Sequence, residues 1–400
     1  MDTIAKIGIN CVGCRSCEQS CPKKCITFRE NSEGFLYPVI MEDSCIKCGI
    51  CLKRCPISME EEEKRQPLEC YALKEKDKGF LMNSASGGAS DLAVKAILDK
   101  GGYAYGAAYS PNYSVIHIEV SNEEGRKKLQ SSKYVQSDLK DTFSKAKARL
   151  EDDKIVLFTG TPCQIAGLYA FLGKNFNNLY TIDLICHGVP SPKFFEKYLA
   201  YQEKIMKEHI EFFDFRSKDK RGWGKQYLIK TETKKKTKPL SLDKYGKHFM
   251  DGDCYRESCY HCKYANLNRP ADLTVGDFWG IDRCHPEFSS PLGVSSVLVN
   301  TEKGKQLFEF MKRNAEFLPV SVNDVLFKQG NLVKPSKRTI MRENFYKNIN
   351  SDTFIEKLQV GVQVKERIKS VLPRTVLDRL KRINWKGMGS VIKHIENTRE

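Results

Sequence analysis

No stretch of this 400-residue sequence is apolar enough for long enough to cross a bilayer. The opening residues, MDTIAKIGIN, lack the basic head, apolar run and cleavage site that an export signal needs. The chain is therefore expected to stay in the cytoplasm. A G-x-G-x-x-G is also missing, which removes the sequence support for a nicotinamide site of the Rossmann kind. Acidic residues run short against basic ones, 50 against 66, for a formal net charge of +16. That excess favours acidic partners (phosphorylated cofactors, an acidic carrier protein, nucleic acid or anionic lipid) without choosing among them. Part of it lies in KTETKKKTK, Lys230 to Lys238, which reads as a polar loop or hairpin tip.

Cysteine, by contrast, is abundant. There are sixteen, and nine of them fall before residue 56, a break in composition that marks a domain boundary. In a reducing compartment such a concentration of thiols points to metal rather than to disulfides. A chain of this length is expected to form two or three domains.

Cys11, Cys14, Cys17 and Cys21 follow the spacing C-x2-C-x2-C-x3-C, with Pro22 next, and Cys45, Cys48, Cys51 and Cys55 repeat it before Pro56. Two-residue gaps let three thiolates of one tight loop converge on three irons of a cube. The fourth cysteine opens a helix that leads to the other cube. The spacing therefore predicts two [4Fe-4S] clusters, one on Cys11, Cys14, Cys17 and Cys55, the other on Cys45, Cys48, Cys51 and Cys21. Gly13 and Gly49 suit backbone that passes close to inorganic sulfide. ITFRE and GFLYPVI read as short covering strands. Structural zinc fits the three-thiol rhythm and the Cys-Pro pairs poorly. Cys25 falls outside the pattern and reads as a small buried hydrophobe.

From Tyr71 the pattern is mixed α/β. Asn83-Ser84-Ala85-Ser86-Gly87-Gly88 runs into an amphipathic helix that Gly101 and Gly102 stop. Such a start suits either a phosphate or a plain cap of small residues. The strand Lys154 to Phe158 leads through TGTPCQ into a helix with Thr161 as cap and Pro162 in its first turn. Cys163 follows, where the helix dipole would favour a thiolate; cluster ligand, reactive thiol and packed core residue all remain open. A second such unit carries Cys186-His187-Gly188-Val189-Pro190 and a helix capped by Ser191 and Pro192. Both loops are expected at the carboxyl ends of strands, where open α/β sheets bind ligands. His187 reads either as a donor to a flavin or substrate or as a structural residue. Cys254, Cys259 and Cys262 suggest a third metal site, a cluster or a zinc ion, that needs one more ligand from Cys186 or Cys163.

SASGGAS, SSKYVQSD, FTGTPCQIAGL, DLICHGVPSP, CYHCKYANLNRPADLTVGDFWGI and GVSSVLVNTEKG, in that order, resemble successive motifs of the coenzyme F420 hydrogenase/dehydrogenase beta-subunit family. The resemblance covers roughly residues 68 to 315. With its ferredoxin-like extension the chain looks like a bacterial branch often encoded near polysaccharide-assembly enzymes. The resemblance implies an FAD-containing subunit that exchanges electrons between a two-electron partner, such as a deazaflavin, and iron–sulfur clusters. Carried onto this chain, Ser84, Ser86, Gly87 and Gly88, with Gly160, Thr161 and Gln164, would contact the flavin. Lys133, Tyr134, Asp277 and Trp279 would lie near it, and the CxxC segment would hold the subunit's own cluster. Cys163 and His187 are the candidate catalytic residues. The two extra clusters depart from the hydrogenase subunits, so specificity for coenzyme F420 does not carry over.

The expected fold class is α+β. A ferredoxin-like two-cluster domain (1–58) and a linker (59–70) precede a larger mixed α/β flavin and iron–sulfur domain. The larger domain has two parts (71–150 and 151–320), the second holding the third cluster site. A basic helical tail (321–400) follows. Within it, Ile368, Val371, Leu372, Val376, Leu377, Leu380 and Ile383 recur near helical spacing, a face for docking on protein or on the inner surface of the membrane. The expected activity is that of an iron–sulfur flavin-dependent oxidoreductase. The alternatives are a non-catalytic electron-transfer adaptor and a ferredoxin-linked reductase of a polysaccharide pathway. The expected partners are an electron carrier or redox protein and a small-molecule two-electron donor or acceptor, with no nucleic acid.

Overall fold

The computed structural model describes residues 2–60 and 66–361. Short helices α1 (Ser16–Gln19) and α2 (Ile50–Lys53) each follow a cysteine-bearing turn. Between them β1 (Ile26–Glu30) pairs antiparallel with β2 (Leu36–Ile40), the two covering strands expected from the sequence. Ile4, Ile26 and the thiols of Cys17, Cys25, Cys51 and Cys55 make up most of this small core.

The larger part is built on one eight-stranded sheet. Its strands are β3 (Glu69–Glu75), β4 (Tyr103–Tyr109), β5 (Val115–Val120), β6 (Val156–Gly160), β7 (Leu179–Leu184), β11 (Leu273–Asp277), β12 (Ser295–Val299) and β13 (Ala315–Pro319). Their order is β13-β3-β12-β11-β7-β6-β4-β5. The centre, β11-β7-β6-β4, is parallel, and every pairing outside it is antiparallel. Since β12 runs against both β11 and β3, the strands β3, β4, β6, β7 and β11 all point the same way. Their carboxyl ends therefore open along one edge of the sheet, the place where such sheets take ligands. Leu73, Leu157, Ile182, Val275 and Val297 are buried between that sheet and its helices, and β6 and β7 are buried along most of their length, as central parallel strands are.

The strand-to-helix turns follow local chemistry. Helices α3 (Lys78–Asn83) and α4 (Ala89–Leu98) flank the serine–glycine loop; α5 (Glu123–Leu129) and α6 (Thr142–Glu151) follow. Helix α7 (Pro162–Leu172) starts at Thr161 with Pro162 in its first turn, as expected. Helix α8 (Pro192–Met206) starts where the Ser191 hydroxyl accepts from the Phe194 N–H. A three-stranded antiparallel sheet, β8 (Phe212–Asp214), β9 (Gln226–Lys230) and β10 (Lys235–Pro239), precedes α9 (Lys244–Asp251). The lysine-rich stretch thus forms the tip and most of the second strand of the β9–β10 hairpin.

The two parts of the larger domain share a single sheet, since β3, β4 and β5 come from the first and the remaining strands from the second. Two expectations need adjustment. Strand β3 begins at Glu69, inside the stretch read as linker. Phe345, Tyr346, Phe354 and Ile355, placed in the tail, are buried in the main aromatic core. The amphipathic face from Ile368 to Ile383 lies outside the described residues.

Candidate metal and cofactor site

In the amino-terminal module Gly13 and Gly49 hold left-handed backbone, at φ +71° and +73°. A side chain there would be strained, and at Gly13 it would also meet Gln136 Nε2. The turns gather the thiols in two sets. Burial, then the charges of Cys14, Cys11, Cys55 and Cys51, pushes the Cys17 thiol upward. Burial likewise raises Cys14, with Cys11, Cys55 and Cys163 as electrostatic neighbours. Cys21, Cys45, Cys48 and Cys51 line a second small hollow together with Cys25. Cys25 is buried, as expected of a small apolar residue, yet its Sγ lies 3.4 Å from that of Cys21.

Buried thiols that repel one another once ionised call for a compensating cation. Backbone N–H groups aimed at sulfur complete the fit to iron–sulfur cubes. Gly13 donates to Cys11 Sγ at 3.4 Å, Ser16 to Cys14, and Ile57 and Ser58 to Cys55. All sixteen cysteines are free of disulfides. Among the described residues no three His, Cys, Asp or Glu side chains close on a point that would hold a single metal ion.

The carboxyl edge of the large sheet opens on a cavity of about 450 Å³, within the range of small-molecule sites. Cys163, Cys186, Cys259 and Cys262 line it. The Cys186 thiol has Cys259, Cys163 and Cys262 as electrostatic neighbours. Gly188 donates its N–H to Cys186, Val189 to Cys259, and Tyr264 and Ala265 to Cys262. Cys254 is elsewhere. It is fully buried in the aromatic core, where its carbonyl accepts from the Tyr346 hydroxyl at 2.6 Å, and it does not line the cavity. Sequence grouped it with Cys259 and Cys262; Cys259 remains an electrostatic neighbour, but Cys254 itself is buried in the aromatic core. The dipole argument for Cys163 also fails in this state, because burial outweighs it and pushes the thiol up to about 11.

The serine–glycine loop forms another wall. Ser84 Oγ donates to Asp91 Oδ2 at 2.8 Å, and Ser86 Oγ to Val294 O at 2.7 Å. At Gly87 a Cβ would stand 2.1 Å from Leu73 O, so only glycine fits; Gly88 holds φ +84°. Gly160 and Thr161 line the cavity beside Cys163. Gln164 does too, but its Oε1 accepts from the Thr161 N–H at 2.9 Å and its Nε2 donates to Ser137 Oγ at 2.9 Å. It braces the turn.

Lys133 lies on the cavity wall with its Nζ donating to the carbonyls of Gln130, Lys128 and Ser131, and burial brings it down to about 8. Tyr134 stacks on Phe249 at 4.4 Å, its hydroxyl accepting from Arg216 at 2.9 Å. Asp277 takes two bonds of 2.7 Å from Arg216 and a third, also 2.7 Å, from Trp223 Nε1; despite burial, these cationic and donor partners hold it down at about 2. Trp279 stacks on Trp223, centroids 4.8 Å apart and planes within 2°. His187, on the wall near Lys225, is pushed down to about 4 by burial first and by that lysine second, and is therefore neutral near pH 7.

Sequence reading missed five residues here. Arg216, Lys218 and Lys225 come from a charged stretch without a motif, RSKDKRGWGK. Lys218 is buried, donating to Leu81 O and, at 2.7 Å, to Ser86 O, so it fastens the serine–glycine loop. Arg256 and Tyr264 lie inside the cysteine segment, and only the chain's tertiary path reveals their partners. Arg256 Nε donates to Cys11 O at 2.6 Å, its Nη1 to Gln136 Oε1 at 3.0 Å and its Nη2 to Leu36 O at 3.0 Å. It lies 4.0 Å over the Tyr37 ring and so pins the amino-terminal module to the sheet domain.

The thiol arrangement is that of an iron–sulfur protein, and the family matches are of the oxidoreductase electron-transfer type. Residues 153–323 match the family described as the carboxyl-terminal region of the coenzyme F420 hydrogenase/dehydrogenase beta subunit, and residues 10–59 match a 4Fe-4S dicluster domain. The match to that beta-subunit family thus lies in residues 153–323, with the dicluster match ahead of it. Over 56 residues it is 29% identical to the ferredoxin-type protein NapF of Haemophilus influenzae, a stretch of 14% of this chain and 32% of that protein. The chain thus spans about a third of the length of this curated relative. Among solved structures, a chain of the F420-reducing [NiFe] hydrogenase complex from Methanosarcina barkeri is similar with a TM-score of 0.46 and 18% identity, covering 72% of this chain and 95% of that one. Among the described residues no helix is long and apolar enough to cross a membrane.

Proposed function

We propose that the chain is an iron–sulfur flavoprotein oxidoreductase in which three [4Fe-4S] clusters serve a flavin held in the large cavity. The observation that carries this reading is the cavity itself, with four thiols on one wall and a glycine-rich strand-to-helix loop on another. Cys11, Cys14, Cys17 and Cys55 would hold one cluster, Cys21, Cys45, Cys48 and Cys51 the second, and Cys163, Cys186, Cys259 and Cys262 the third. This gives the third site two ligands from the neighbouring loops, Cys163 and Cys186, where one of them together with Cys254 was expected. A bound flavin supplies the exchange between two-electron and one-electron chemistry.

The residues' own tasks follow from their contacts. Gly87 and Gly88 let the loop pack tightly against β3, leaving backbone groups at the start of α4 to face an anionic cofactor group. Arg216 and Asp277 fix each other and hold the Tyr134 hydroxyl, so the cavity wall keeps its shape. Trp279, with Lys225 5.3 Å from its ring centroid, offers a flat cationic edge to a planar, negatively charged two-electron partner. His187, neutral near pH 7, can donate or accept one hydrogen bond there. The dicluster module would meet a one-electron carrier protein.

Anaerobic purification followed by iron, sulfide and flavin analysis tests the reading. About twelve irons and as many sulfides per chain, with one flavin, are expected. Iron and sulfide without flavin, even after reconstitution with FAD, would leave an electron-transfer adaptor instead.

A further inference from the structure

We propose that Tyr264 is the junction through which single electrons cross between the set Cys11, Cys14, Cys17, Cys55 and the set Cys163, Cys186, Cys259, Cys262. This rests on the iron–sulfur reading above and adds to it a particular residue and a fixed route.

Tyr264 is tied to both sets. Its backbone N–H donates to the Cys262 sulfur, and its hydroxyl lies 3.5 Å from the carbonyl of Pro56, the residue after Cys55. Between those ends the side chain is buried and has Cys163, Cys14, Cys262 and Cys55 as electrostatic neighbours, two thiols from each set. Its position is braced. Arg269 Nη1 donates to Tyr264 O at 2.6 Å while Arg269 Nη2 is held by Asp183 Oδ1 at 2.7 Å and Leu184 O at 2.8 Å, a buried ion pair at the end of β7. Next to it Lys263 Nζ donates to Met59 O at 3.2 Å. The two modules also meet where Gly167 of α7 lies against Cys14.

Electron tunnelling falls exponentially with distance and falls faster across empty space than through packed atoms. A residue whose backbone N–H bonds one ligand's sulfur and whose buried ring reaches the backbone beside another ligand shortens the path through space. In the step, one electron leaves one set and enters the other; no bond forms or breaks, no proton changes place, and Tyr264 is not itself oxidised. The amino-terminal module then works as a docked part of the wire, not as a carrier swinging on its linker.

The test uses the full chain loaded anaerobically, a flash-generated one-electron reductant and freeze-quench EPR to follow electron redistribution between the two sets. Y264L is expected to slow redistribution several-fold with iron content and midpoint potentials unchanged. Y264F, which keeps the ring and loses only the hydroxyl, is expected to recover most of the wild-type rate. Fully loaded Y264L that redistributes at the wild-type rate overturns the proposal. If Y264L fails to hold iron, Y264W, which keeps an aromatic ring, takes its place: in the fully loaded chain a rate close to wild type supports the ring as the path, and a rate slowed several-fold overturns it. Iron and sulfide short of three clusters in the wild type would instead sink the reading beneath it.

Discussion

Gly167 of α7 and Cys14 of the amino-terminal module are in direct contact: a Cβ at position 167 would stand 2.9 Å from the Cys14 sulfur and 2.7 Å from its Cβ. A glycine inside a helix ordinarily weakens it. Here it lets a helix that begins at Pro162 press its sixth residue's backbone against a thiol from another part of the chain. Gly167→Val should force the modules apart. The expected loss is about 1–3 kcal/mol, as for other overpacked interfaces, read by urea denaturation, together with iron lost from the amino-terminal set.

The cavity thiols make a second prediction. Alanine at Cys163, Cys186, Cys259 or Cys262 should each remove about four irons per chain, while Cys254→Ala should keep full iron and cost only packing. Iron and acid-labile sulfide counts on anaerobically prepared variants decide it. A Cys254→Ala chain that loses a cluster while Cys163→Ala keeps it would reverse the ligand set.

Arg256 joins two backbone acceptors across the module boundary, the carbonyls of Cys11 and Leu36, and Gln136 on its own side. Arg256→Met keeps most of the volume and strands the carbonyls of Cys11 and Leu36. Each buried acceptor left unpaired costs about 1–3 kcal/mol. Limited proteolysis should then cut the amino-terminal module free before the sheet domain unfolds. The nearby cluster should also become harder to reduce, since positive charge favours its more negative reduced form; a potential titration reads that shift.

Lys218 makes stability depend on pH. Burial first, then Arg216, lowers it from 10.5 to about 7. Between those values the unfolded chain holds a proton that the folded chain has given up. Stability from this residue therefore rises with pH from about 7 towards 10, and the full penalty stands below 7. The slope is at most roughly 1.4 kcal/mol per pH unit. Subtracting the Lys218→Met profile from the wild-type profile should isolate it; two parallel curves would mean the lysine stays charged when folded.

The ion pair behind the aromatic wall gives a last expectation. Asp277→Asn leaves Arg216 buried with its charge unbalanced, a change that costs about 3–5 kcal/mol in comparable buried pairs. Tyr134 and Trp223 lose their anchor with it. The variant should bind flavin weakly at a concentration that saturates the wild type, as fluorescence quenching would report.

How much of this was visible beforehand depends on the range of the interaction. The two amino-terminal thiol series were legible because their ligands come in fixed two-residue rhythms within one loop, and the turn glycines lie beside them. Thr161 with Pro162, and Ser191 with Pro192, marked helix starts for the same reason: capping is settled within four residues. The covering strands β1 and β2 likewise follow from local alternation and a tight connection.

Other features depend on residues far apart in sequence. Whether Cys163 or Cys254 faces Cys262 depends on the parallel order of β6, β7 and β11, which no spacing encodes. Gln164 and Lys133 look like cofactor contacts in a motif, yet their polar ends are taken up by Thr161, Ser137 and three backbone carbonyls. Arg216, Lys218 and Arg256 stand in no recognisable pattern, and Tyr264 stands in a motif that does not reveal its contacts, because their partners lie up to 245 positions away. By itself the sequence determined which segments would become helices, strands and thiol-bearing turns, since those depend on neighbours along the chain. The tertiary structure alone decided which thiols meet, which buried charges are balanced, and which tyrosine lies between two sets of sulfur. Burial and contact across the fold are properties of the packed whole.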